Sequence, residues 1–159
     1  MADSKLVVGK KAPAFALKNQ NDEVVKLGDL AGRWVVLYFY PKDDTPGCTT
    51  EACDFTDGLK DFEKMDAQVL GCSADSTERH RKFIAKYKLK IDLLSDPDHE
   101  VIERYGAWGE KNLYGKVSMG IIRSTVIIDP QGRVAHHWPK VSSKGHADAV
   151  RERLKELRG

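Results

Sequence analysis

The apolar positions of this chain fall into short runs divided by polar turns, and their period changes along the sequence. Phe15 and Leu17 alternate with small or polar neighbours, and Val24 and Val25 follow a polar turn at Asn19 to Asp22, which predicts an N-terminal hairpin. Trp34 to Tyr40 reads WVVLYFY, seven apolar or aromatic residues in a row. That run is too short for a helix and rich in β-formers, so it predicts a central strand buried on both faces and ended by Pro41. Phe55, Leu59 and Phe62 are spaced by four and three, which predicts a helix from about Pro46 to Met65. A strand follows at Val69 to Ser73. Asp75 and Glu78 form a capping pair before a helix carrying Phe83, Ile84 and Tyr87. Leu93 and Leu94 make a short strand, and Asp96-Pro97 opens another helix with proline in its first turn. Thr125 to Ile128 and Val134 to Trp138 are strands joined by the turn Asp129-Pro-Gln-Gly132. Val150, Leu154 and Leu157 stripe a last helix.

Strands that alternate with helices and end in a hairpin and a helix imply an α/β fold. The expectation is a thioredoxin-like fold: a central mixed β-sheet flanked by helices, with an N-terminal hairpin. No repeat, linker or low-complexity tract divides the chain. Its 159 residues therefore read as a single domain, 1–159, large enough to bury a core without staples.

Charge narrows the range of partners. Lys plus Arg number 26 and Asp plus Glu 24, a net charge of +2. This balance suggests neither nucleic acid nor a membrane surface as the main partner. No apolar run approaches the ~20 residues of a membrane span. The start, MADSKLVVGKKAP, has neither an apolar leader core nor transit-peptide character, so the chain reads as cytoplasmic. The three cysteines, Cys48, Cys53 and Cys72, are then core residues, metal ligands or redox actors rather than a disulfide framework.

The informative segment is Pro41-Lys-Asp-Asp-Thr45-Pro46-Gly47-Cys48-Thr49-Thr50-Glu51-Ala52-Cys53. Here a central strand ends, a loop turns through Pro46 and Gly47, and a helix begins near Cys48. Ligand sites in open α/β sheets lie beyond the carboxyl ends of the strands. A cysteine in a helix's first turn faces unpaired backbone N–H groups and the positive dipole end, both of which favour a thiolate. Thr45 offers a hydroxyl three residues before the sulfur. Glu51, three residues after it, shares its helix face. A carboxylate there opposes a thiolate unless a cation sits between them.

P-x-x-x-T-x-x-C-T-x-E resembles the active-site motif of the peroxiredoxins, and C-T-T-E-A-C resembles their Q, or bacterioferritin comigratory protein, subfamily. The likeness extends to Tyr105-Gly-Ala-Trp-Gly-Glu110 and to Gly120-Ile-Ile-Arg123-Ser-Thr-Val-Ile-Ile-Asp129, and so spans nearly the whole chain in order. The resemblance implies a thiol-dependent peroxidase. Pro41, Thr45, Cys48 and Arg123 would form the peroxide pocket, and Glu51 would orient Arg123. Cys48 would attack the peroxide and become a sulfenic acid. Cys53 would close an intramolecular disulfide, which thioredoxin or a similar dithiol would reduce. Hydrogen peroxide and organic hydroperoxides are the implied substrates, with no metal or organic cofactor. A monomer is favoured, since no C-terminal resolving cysteine requires a partner chain.

Helix geometry adds a condition. Residues five apart in a helix have Cα atoms ~8.6 Å apart and point ~140° away from each other, whereas a disulfide needs Cα atoms within about 7 Å. Cys48 and Cys53 can bond only if this helix unwinds. Thr49, Thr50, Cys53, Asp54, Phe55, Thr56 and Asp57 are mediocre helix formers, and Gly58 costs ~1 kcal/mol relative to Ala.

Other features read as packing or surface. Cys72, at the end of an apolar strand, reads as a small core hydrophobe, with a backup resolving thiol as the alternative if that strand end lies near the site. Trp108 reads as packing, and the run Arg79-His80-Arg81-Lys82 as a solvated helix face. C-x4-C matches no usual zinc spacing, and His136 and His137 face opposite sides of a strand. Two other functions compete. One is a thioredoxin-like disulfide oxidoreductase, which would normally carry C-x-x-C at the helix start. The other is a redox-sensing module that uses the same oxidation once.

Overall fold

The computed structural model describes residues 6–159. The first five residues of the N-terminal segment MADSKLVVGKKAP lie outside the described residues. Strands β1 (Ala16–Lys18) and β2 (Val24–Lys26) form the expected hairpin, in antiparallel register with Leu17 opposite Val25. The long apolar run becomes β3 (Trp34–Phe39). After it come α1 (Pro46–Asp57), α2 (Leu59–Lys64), β4 (Ala67–Ser73), α3 (Thr77–Tyr87), β5 (Asp92–Ser95) and α4 (Glu100–Arg104). A ribbon of β6 (Trp108–Leu113) and β7 (Lys116–Ile121) precedes β8 (Ser124–Ile128), β9 (Val134–Trp138) and α5 (His146–Arg158). Seven strands form one sheet in the order β2-β1-β5-β4-β3-β8-β9, and β6 with β7 forms a second. β3 runs parallel to β4 and antiparallel to β8, so the sheet is mixed.

The side-chain alternation of β3 divides the core. Val36, Tyr38 and Tyr40 pack with Phe55 of α1, Phe62 of α2, Phe83 of α3 and Val150 and Leu154 of α5. Val35, Leu37 and Phe39 pack on the other face with Val101 and Ile102 of α4, Tyr105 and Phe15. A strand covered on both faces reads as continuously apolar because neither side meets water. Among the described residues no helix is long and apolar enough to cross a membrane.

Several local expectations need correction. The helix predicted from about Pro46 to Met65 is broken at Gly58 (φ −92°, ψ 2°), which ends α1 and precedes α2. Ser76, not Asp75, caps α3 by accepting from the Arg79 N–H at 3.2 Å. Asp75 turns back to the loop after β3, where it accepts from the Asp43 N–H. The helix expected at Asp96-Pro97 starts only at Glu100, because Asp96 folds into a turn and its carboxylate accepts from the Ile102 N–H at 2.8 Å. The basic run on α3 is solvated at Arg79, Arg81 and Lys82, but His80 is wholly buried.

Candidate active site

β3 ends at Phe39, and Pro41, half-buried, begins the loop that turns back into α1. Thr45 is the last extended residue before α1 (φ −106°, ψ 155°), and Pro46 occupies the first turn, where its missing N–H is no loss. The Thr45 carbonyl accepts from the Thr49 N–H at 2.8 Å, the first rung of the helix. No side chain caps the N-terminus. Cys48 therefore sits in the first turn with the positive end of the helix beside it.

Cys48 is buried and is not in a disulfide. Arg123, on the short link between β7 and β8, reaches it from beside the end of β3, where Ser124 pairs with Phe39. Its Nη2 donates to Cys48 Sγ at 3.2 Å, and its Nη1 donates to Glu51 Oε1 at 2.6 Å. One planar guanidinium thus spans two groups that share a face of α1, the arrangement of donors that an arginine fork permits. Gly47 makes room for it: a Cβ there would lie 3.1 Å from Arg123 Nη2 and 3.4 Å from Ser143 Oγ. The backbone after β9 closes over this point, where the Val141 N–H donates to the Arg123 carbonyl at 2.9 Å.

Glu51 has no exposed surface, and its Oε2 has no hydrogen-bond partner among the described residues. Burial raises Glu51 to about 7, against the pull of Arg123. Burial also works against the Arg123 cation, but Glu51 and Cys48 outweigh it and hold the guanidinium above its usual range. The Thr45 hydroxyl donates to the Lys42 carbonyl at 2.8 Å rather than to the sulfur. With its hydrogen committed there, Oγ1 keeps lone pairs to accept from a bound hydroxyl group.

Cys53 lies further along the intact α1, half-buried. Burial, and then Asp57 and Asp54, push its thiol up. Cys72 is fully buried on β4 opposite Phe39 and Leu94, and burial pushes its thiol well above the ordinary range. The structure thus gathers Cys48, Glu51 and Arg123 into one contact set, with Thr45 and Pro41 on the adjoining loop, and holds Cys53 apart on the same helix.

Some neighbours carry no signal in the sequence. Lys111 of β6 lies close enough to Arg123 for its ammonium to be pushed down, by burial first and then by that cation. His146, at the start of α5, shares a 2.7 Å hydrogen bond with Thr125 Oγ1 and lies edge-on to Phe55 of α1. Burial and Arg123 bring it down to about 4, so it is neutral under ordinary conditions.

The family model described as AhpC/TSA family matches residues 8–137. This chain belongs to that family. It is 47% identical over 150 residues to Peroxiredoxin Bcp of Bacillus subtilis strain 168, covering 94% of this chain and 96% of that one. It is 42% identical over 151 residues to Peroxiredoxin Bcp of Escherichia coli K12, covering 95% and 97%. Among solved structures, the bacterioferritin comigratory protein of Xanthomonas campestris superposes with a TM-score of 0.89 at 40% identity, over 99% of this chain and 100% of that one. That structure is described for its alkyl peroxide reduction activity. A cysteine-to-serine variant of Xylella fastidiosa PrxQ gives a TM-score of 0.93 at 35% identity, over 99% and 100%. This AhpC/TSA chain therefore has the thioredoxin-like fold of the Q-type peroxiredoxins, and it is a thiol peroxidase.

Proposed function

We propose that this chain reduces hydrogen peroxide and organic hydroperoxides with Cys48 as nucleophile and Cys53 as resolving thiol. The observation that carries the reading is the 3.2 Å contact from Arg123 Nη2 to Cys48 Sγ, with Glu51 fixing the other arm of the fork. The Cys48 thiolate attacks one peroxide oxygen. The S–O bond forms, the O–O bond breaks, and the leaving oxygen takes a proton to depart as water or an alcohol. The guanidinium and the N–H groups at the start of α1 meet the charge as it passes from sulfur to the leaving oxygen. Thr45 Oγ1 accepts from the peroxide O–H and so aligns it.

Cys53 then attacks the sulfenic sulfur, an S–S bond forms and water leaves. Two features of the folded site postpone this step until α1 unwinds. Both cysteines belong to one intact helix, and burial, with Asp57 and Asp54, pushes the Cys53 thiol up and so disfavours its attacking thiolate. A dithiol of the thioredoxin type regenerates the enzyme by exchange. The catalytic unit is a monomer, since attack and resolution both fall within one helix, and it works in the cytoplasm, the reducing compartment in which a thioredoxin-type dithiol is maintained.

The test is steady-state consumption of peroxide with thioredoxin, thioredoxin reductase and NADPH, for wild type and for each cysteine changed to serine. Cys48→Ser should have no activity, Cys53→Ser should lose turnover with this reductant, and Cys72→Ser should keep it. Turnover near the wild-type rate in Cys48→Ser would refute the reading.

A further inference from the structure

Asp43 and His80 form a buried pair that the chemistry above does not use. Their side chains are 2% and 0% exposed. His80 Nε2 lies 2.9 Å from the Leu94 carbonyl, which can only accept, so Nε2 carries a hydrogen. The Tyr40 hydroxyl donates to Asp43 Oδ1 at 2.6 Å. His80 Nδ1 faces Asp43 Oδ2 at 2.7 Å, and two bare lone pairs would repel at that distance, so a proton lies in this contact too. Each side-chain polar atom of the pair is thus satisfied although water is excluded.

The pair sits at the root of the catalytic loop. Asp43 lies between Pro41 and Thr45, and its backbone N–H is also held, donating to Asp75 Oδ2 at 2.8 Å. Asp44 adopts a left-handed conformation (φ 60°) and accepts from Lys86 Nζ at 2.8 Å and from the Tyr87 hydroxyl at 2.6 Å. Helix α3 therefore grips two successive loop residues. α1, which begins just beyond them, has no capping side chain at its start. Replacing a buried polar pair with well-packed apolar residues is often neutral or stabilising. Stability alone therefore gives little reason for a hydrogen-bonded pair here, whereas a directional hold on a loop does.

We propose that the Asp43–His80 pair is a positioning device for the peroxide step, resting on the reading of Cys48 as nucleophile. It fixes the loop from Pro41 to Thr45 against α3 and β5, so that Thr45 and the first turn of α1, which carries Cys48, keep their places around the peroxide. It is also the stationary end from which α1 unwinds, so it governs attack on peroxide and not capture by Cys53.

Three variants test this, each followed by stopped-flow oxidation of the reduced protein and by the rate of disulfide closure. Asp43→Asn keeps the hydrogen bonds without the carboxyl group, since its amide donates to Nδ1 and its carbonyl accepts from Tyr40. It should stay within about threefold of the wild-type peroxide rate, as its geometry is kept. Asp43→Ala should slow that step by about tenfold, because a loosened loop misplaces reacting groups, and should leave closure no slower. The double variant Asp43→Ala with His80→Leu leaves no buried imidazole unpaired, and melting temperature checks that it is folded. It should be as slow toward peroxide as Asp43→Ala. A folded double variant with the wild-type peroxide rate overturns the proposal, as does an Asn variant as slow as the Ala variant. Cys48→Ser, run in parallel, separates the two claims. If it still reacts, the assignment of the nucleophile fails. If it is inert while the double variant is fast, only the positioning role fails.

Discussion

Arg123 Nη2 lies 3.2 Å from Cys48 Sγ, a contact between residues 75 apart in the sequence. The same guanidinium holds Glu51, so its orientation at the sulfur is set by a carboxylate one helical turn further along α1. Arg123→Lys keeps the charge but replaces a two-armed planar donor with a single ammonium. The second-order rate of the peroxide step should fall by about 10²-fold, the usual cost of removing one preorganised donor to developing charge. Stopped-flow oxidation of reduced protein measures it, and an unchanged rate would make Arg123 a packing residue.

Gly47→Ala should divide stability from activity. Alanine favours a helix over glycine by up to ~1 kcal/mol, so α1 should not be weakened. Its Cβ, however, would stand 3.1 Å from Arg123 Nη2 and push the guanidinium away from the sulfur. The expected result is an unchanged or raised melting temperature with a slower peroxide step, read by thermal unfolding and stopped flow on the same sample.

Glu51 predicts a pH signature in stability. Burial raises it to about 7 in the folded protein, above its ordinary value of 4.5. The folded state therefore binds this proton more tightly than the unfolded chain does. Its contribution to stability is full below about pH 4.5 and is lost as pH rises toward 7. Glu51→Gln cannot titrate, so the difference in unfolding free energy between wild type and variant should shift against wild type across that window. Denaturant titrations at several pH values test this, and a difference independent of pH would contradict it.

Gly58 is the joint between α1 and α2. Its backbone (φ −92°, ψ 2°) is open to alanine, and a Cβ would meet its nearest neighbours, Asp54 O and Phe62, at 3.6 and 3.8 Å, ordinary contact. Gly58→Ala should stabilise this joint by about 0.4–1 kcal/mol through the unfolded state. If unwinding of α1 limits capture by Cys53, disulfide closure should slow and sulfinic acid at Cys48 should rise at high peroxide. Mass spectrometry of Cys48 after a peroxide titration reads the outcome. Equal sulfinic acid in a demonstrably stabilised variant would separate unwinding from the partition.

The legible parts of the sequence were those where burial imposes a period. The unbroken run at Trp34 to Tyr40 marked the doubly covered β3, and the stripe of Val150 and Leu154 marked α5. The ribbon of β6 and β7 was missed because most of its side chains face water, so no alternation is enforced. Its one signal was the turn Tyr114-Gly115, where both residues have positive φ (54° and 79°). Cys48, Thr45 and Glu51 could be read because they cluster in one segment, and Arg123 because the family motif carries it. His80 was invisible for the opposite reason. It stands among Arg79, Arg81 and Lys82, and only the helix phase shows that it alone turns inward to Asp43. Lys111 and His146 likewise reach the site through tertiary packing.

The central claim is that oxidation at Cys48 is captured by Cys53 within one chain. Peptide mapping tests it most directly, after reduced protein receives one equivalent of peroxide and remaining thiols are blocked. The account predicts a Cys48–Cys53 disulfide in the monomer and a Cys72 that is not oxidised, since it is fully buried with its thiol pushed well up. A dominant bond to Cys72, a bond between two chains, or a Cys48 left reduced would contradict it.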